Sequence, residues 1–287
     1  VPNFMAKQKE GRRLRTISPM TRVAVYIMKK RHDASNLLAD TVNIDRTTEY
    51  IARKRAEGLK GFGMMHVFMS AYIRTISQYP GINRFIRGQT IYARNGIEMM
   101  ITIKREMTLN AEETVLKIDF TPDMTAPQVY DVVKKTVETS RSGESDFDDT
   151  AKILNHIPGL VLKFTVWFLN LLDYFGLLPR KLTKLSPFHG SFAVTSMGSL
   201  GIPPIYHHLY DFGNIPVFCA FGPKYVKKTV LSDGTVEKRK YLDYKATTDE
   251  RICDGHYYAA ALKYFKGLIA NPSCLDEPPA EVRQDID

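Results

Sequence analysis

The sequence predicts a single α/β domain. Helix-period and strand-period segments alternate along it, and no internal repeat or low-complexity linker divides it. With 287 residues, 44% of them hydrophobic, the chain can bury one large core or two small ones.

The elements follow in order. Ser18-Pro19 supplies a favoured cap and first helical residue, and Met20, Val23, Ala24, Ile27 and Met28 recur behind it at helical spacing. NLLADTVNID (36–45) reads as a strand, with Asp45 placed to cap a second helix through about Ala56. MMHVFMSAYIRTISQYP predicts a third helix that Pro80 ends. Strand-like runs follow at 89–94, 98–106 and 113–121, then a helix from about Ala126 to Ser140. Residues 142–150, SGESDFDDT, form an acidic loop that puts carboxylates near the positive end of the next helix. Strands return at 191–196 and 215–222, a hairpin turns around Ser232-Asp233-Gly234, and a last helix runs from about His256 to Ala270.

The charge of +9 favours anionic partners or a solubilising surface, while no zinc-finger, homeodomain or RNP-type pattern supports nucleic acid. Three cysteines without paired spacing predict a reducing compartment and neither a disulfide framework nor a metal site. VPNFMAKQKEGRRLR has no apolar segment, so no signal peptide is expected and the location is read as cytoplasmic.

Three stretches together carry a family likeness. TTDERICDGHYYAAALKYFKGLIANP resembles the His-x-x-x-Asp-Gly signature and following helix of the chloramphenicol acetyltransferase-like superfamily, which includes the catalytic domains of dihydrolipoamide acyltransferases. SFAVTSMGSLG resembles that family's Phe-Thr-Ile-Ser-Asn-Leu-Gly-x-x-Gly strand and turn, and ISPMTRVAVYIMKKR its opening helix. The resemblance implies a mixed-sheet α/β sandwich, assembly as a homotrimer with sites between subunits, and coenzyme A or acyl-CoA as the thioester substrate. It gives the oxyanion role to Thr195, or to Ser196 one residue on, and makes Asp254 of the Asp254-Gly255 pair a structural partner of Arg22. No lipoyl or subunit-binding domain is expected, and hence no lipoyl group and no place in a 2-oxo acid dehydrogenase complex.

The motif's histidine position holds Glu250. Imidazole titrates near neutrality, whereas an exposed glutamate titrates near about 4.3 and needs burial to act as a base. Asp249 and Asp254 would push it up and Arg251 would pull it down. Glu250 therefore reads either as an unusual base or as a substrate-contacting or structural carboxylate in an altered site. Relocated chemistry offers His208 or its neighbour His207, and His189 with Ser191 two residues on, although neither has an Asp partner at readable spacing. His256 reads as a helix-start polar group and Cys253 as a buried apolar residue.

Residues 157–178, IPGLVLKFTVWFLNLLDYFGLL, have no counterpart in the family pattern and lie in an insertion at about 143–187. Lys163, Asp173 and Pro179 argue against a membrane span. Two readings stay open: a helix lying in a membrane surface, or one that roofs the domain or packs between subunits. The function expected is acyl transfer from a thioester to an unknown acceptor, with an inactive scaffold or lipid-binding relative as the alternative.

Overall fold

A computed structural model describes residues 10–104, 113–142 and 157–287. One mixed sheet has six strands in the order β2 (Ser35–Asn43), β9 (Val236–Asp249), β8 (Val217–Val230), β7 (Phe192–Ser196), β5 (Ile97–Lys104) and β6 (Glu113–Phe120). β7 runs parallel to both neighbours, and the other pairs are antiparallel. A smaller antiparallel sheet joins β1 (Gly11–Arg13), β4 (Thr90–Arg94) and β3 (Arg84–Arg87). β1 and β3 are too short to show a period and have no counterpart in the sequence reading.

Alternation along the strands divides the residues between two faces. Met99, Ile101, Phe192 and Val194 face the main core, where α2 (Asp45–Ala56), α3 (Met64–Gln78), α4 (Ala126–Ser142) and α7 (Gly255–Ala270) cover them. Phe192 stacks on Tyr72 at 3.8 Å, and Phe68 on Phe221 at 4.5 Å. Met100 and Ala193 face the other way, onto Ile215 and the segment leading to it.

The predicted caps are met in two different ways. Ser18 Oγ accepts the Thr21 N–H at 3.1 Å and starts α1 (Pro19–Ile27). Asp45 opens α2, but its carboxylate accepts from the Lys240 N–H and from Asn43 Nδ2 instead of closing the helix end. The apolar stripe of α1 also differs from a core-facing one. Val25 is the helix's buried residue, while Met20, Val23 and Ile27 are exposed.

The insertion has two helices in its described part, α5 (Gly159–Tyr174) and α6 (Arg180–Leu185); the acidic loop predicted at 142–150 falls almost wholly outside the described residues. No residue of α5 is fully buried. No helix among the described residues is long and apolar enough to cross a membrane.

Candidate active site

β9 delivers its last residue, Asp249, into the interior, and the chain turns at Glu250. Asp249 is 2% exposed and accepts from Arg251 Nε at 2.8 Å and Nη2 at 2.7 Å, with Arg31 Nε at 3.8 Å. Tyr258 Oη donates to the Asp249 carbonyl at 2.8 Å, and the Glu250 N–H donates to the Ala34 carbonyl at 2.8 Å. The Glu250 side chain is exposed and has no hydrogen-bond or ion-pair partner among the described residues. Two of the flanking charges expected to press on Glu250, Asp249 and Arg251, are therefore turned inward and satisfy each other.

Asp254 and Arg22 do not pair. Asp254 Oδ1 accepts the Tyr257 N–H at 2.8 Å as the N-cap of α7, of which Gly255 is the first residue. Arg22 donates to the Arg15 carbonyl at 3.3 Å. The unpaired N–H groups of a helix start attract a nearby carboxylate, and here they take Asp254. The buried pairing of this loop belongs to Asp249, Arg251 and Arg31. Sequence reasoning missed it, although an acid that ends an inward strand between arginine-bearing segments was a usable signal. Cys253 is 4% exposed and burial pushes its thiol up, which fits a core residue. His256 is exposed at the helix start.

Thr195 and Ser196 are half-buried near the end of β7. Thr195 pairs with Ala220, Ala220 pairs with Lys245, and Glu250 follows Lys245 by five residues. At about 3.3 Å per residue along and about 4.8 Å per strand across, Thr195 and Glu250 lie roughly 19 Å apart. One chain does not bring them to one reacting atom.

A cavity of about 220 Å³ opens on the second sheet face, with Met100, Val115, Ala193, Phe218, Leu209 and His208 among its walls. His208 is exposed and sits edge-on to Tyr210 at 4.8 Å. His207 instead stacks on Phe218 at 4.3 Å, where burial and then His208 lower its pKa. The two side chains thus diverge, and His208 is the member that lines the cavity.

His189 has the aspartate that the sequence did not reveal. Its Nδ1 lies 2.8 Å from Ser186 Oγ and its Nε2 lies 3.2 Å from Asp173 Oδ2, without good hydrogen-bond alignment at Nε2. At 1% exposure it is locked inside, and burial lowers its pKa despite Asp173. Ser191 goes elsewhere, its Oγ accepting the Glu98 N–H at 3.0 Å. Asp173 also meets Arg87 at 3.0 Å, Arg87 meets Glu10 at 2.6 Å, and Arg180 bridges Glu10 and Glu98 at 2.8 Å each. Burial works against the Glu10 charge, but Arg87, Thr183 and Arg180 outweigh it and hold the carboxyl at about 2. This network roots α5 and α6 in the body and is structural.

No family model and no curated protein matches the chain. Solved structures do. A probable dihydrolipoamide acetyltransferase from Listeria monocytogenes is 13% identical, with TM-score 0.59, over 91% of this chain and 95% of that one. The Azotobacter vinelandii dihydrolipoamide acetyltransferase is 13% identical, with TM-score 0.54, over 96% and 98%. A chloramphenicol acetyltransferase is 12% identical, with TM-score 0.51, over 89% and 99%. The chain therefore has the chloramphenicol acetyltransferase-like fold that its sequence resembles.

Proposed function

We propose that the protein is an acyltransferase that moves an acyl group from a coenzyme A thioester to an acceptor, in a site completed by a second copy of the chain. The position of Glu250 carries this reading. It stands in the turn between β9 and a capped α7, where the resemblance puts the family's base, on a backbone fixed from both sides. Glu250 takes the acceptor's proton, or orients the acceptor, and Thr195 or Ser196 of another copy faces the oxyanion. The roughly 19 Å between Glu250 and Thr195 in one chain supports a homo-oligomer, with the trimer as its form. Enclosure by the partner would also supply the desolvation that a carboxylate base requires. The cavity beside β7 suits an apolar acyl chain, with His208 at its wall. The same reading puts the protein in the cytoplasm, peripheral at a membrane through residues 157–178.

The exposed Glu250 side chain favours one alternative, a non-catalytic relative that binds acyl-CoA or lipid. Release of free thiol from acyl-CoA, with a panel of acceptors, separates the two for wild type, Glu250→Gln and Glu250→His. A carboxylate base predicts that Glu250→Gln loses on the order of a hundredfold or more. An active wild type with an unaffected Glu250→Gln overturns the base. Turnover by Glu250→His alone identifies an inactive relative, and stabilisation by coenzyme A without turnover identifies a binding module.

A further inference from the structure

α5 is inverted relative to a helix that lies on a water-soluble body. At about 100° per residue, Leu160, Val161, Phe164, Trp167, Phe168, Leu171 and Tyr174 fall within a sector of roughly 140°. All seven are exposed, from 39% at Leu171 to 84% at Leu160. The opposite side, with Leu162, Thr165, Leu169, Leu172 and Asp173, is half-buried against the body, and Asp173 is fixed by Arg87 and His189. The helix thus presents its largest apolar groups outward from a polar root.

A cleft of about 150 Å³ lies at that root. Asn170 and Tyr174 from the edge of the outward face form one bank, and Lys29 and Lys30, just beyond α1, form the other. Arg31, Arg87 and Arg251 also line it, against the carboxylates of Asp173 and Asp211. Asp249 behind the wall adds one more acid for Arg251. Glu10 likewise pairs with Arg87, so the buried arginines of the lining are matched by acids and the positive excess rests on Lys29 and Lys30. Lys29 and Lys30 are exposed and have no ion-pair partner among the described residues, and the same holds for Lys163 on α5 and Lys181 on α6. A two-fold contact through this face would set that cationic rim against itself.

We infer that α5 lies in the surface layer of a bilayer containing anionic phospholipid, and that the cleft at its root receives the lipid phosphate between Lys29 and Lys30. This rests on the membrane reading above and adds the lipid class and the residues that select it. It is independent of acyl transfer. The outward side chains sit among the upper acyl carbons, at a depth of about 5–10 Å, while the lysines remain at headgroup level.

Trp167 is the chain's one tryptophan and lies on the outward face, 56% exposed, so it reports directly. The full chain is titrated with vesicles of phosphatidylcholine alone and with vesicles containing phosphatidylglycerol, following Trp167 emission, quenching by brominated acyl chains, and flotation. The expected result is a blue shift, quenching and flotation with the anionic vesicles. Lys29→Gln/Lys30→Gln should weaken that partitioning roughly fivefold per cation and leave the residual neutral-vesicle binding unchanged. Phe164→Ser/Phe168→Ser, at exposed positions, should abolish it. Soluble glycerol 3-phosphate should leave the emission unmoved. Equal binding to both vesicle types, or no effect of the lysine pair, overturns the headgroup site alone. No binding to either type overturns the membrane reading too. A blue shift that grows with protein concentration in the absence of lipid, with a larger particle, assigns the face to a second copy.

Discussion

His66 allows a quantitative test of how α3 is held. Its Nδ1 accepts the Gly63 N–H at 3.1 Å, reaching back from the third helical position as a Glu or Gln does in a capping box. Its ring stacks on Phe62 at 5.2 Å. Burial, assisted by Arg55, lowers its pKa from 6.5 to about 4. A histidine whose folded pKa is depressed adds stability that is whole above its unfolded pKa of 6.5 and is lost as pH falls toward 4. The full shift is worth about 3 kcal/mol, of which about 2 kcal/mol is gone at about pH 5. Buried carboxylates such as Glu10 also lose stability in acid, so the wild-type curve alone does not isolate the ring. His66→Gln keeps an acceptor for Gly63 and does not titrate. Urea unfolding of both proteins at pH 8 and pH 5 should show the wild type losing about 2 kcal/mol more than the variant between the two conditions. An identical loss in both would show that His66 is protonated in the folded state at no cost, and the account of the α3 cap would fail.

Two further expectations concern the core and the root of α5. Phe192→Ala removes the ring stacked on Tyr72 from a fully buried site and should cost about 3–5 kcal/mol, read as a lower urea midpoint with an unchanged slope. Asp173→Asn leaves Arg87 paired with Glu10 but removes the charge beside His189, and should cost about 1–3 kcal/mol and speed proteolysis within α5 at pH 8.

The period of the apolar residues made most of this fold legible. Strands and helices long enough to repeat a pattern appear where that pattern put them, whereas β1 and β3, at three and four residues, had no pattern to show. The same logic misled at α1 and left α5 undecided. Periodicity shows that a helix has an apolar face but not which way the face points, and on both helices much of that face is turned outward. At the candidate site, Glu250 stands out in the sequence because it occupies a motif position. Asp254 was placed correctly but given the wrong partner, because a helix start satisfies its carboxylate locally. The contact of His189 with Asp173 was hidden because it depends on how an inserted helix lies down, which no local spacing encodes.

Glu250 is held by its main chain alone. Its neighbours on both sides are committed, Asp249 and Arg251 to each other and the residues after them to the core, while its own side chain bears no share of the fold. A change at this one letter removes no side-chain hydrogen bond or ion pair among the described residues. On the proposed acyltransferase reading, the scaffold separates evolvability from stability at this position, and the residue there can be exchanged at the bench with the fold left standing.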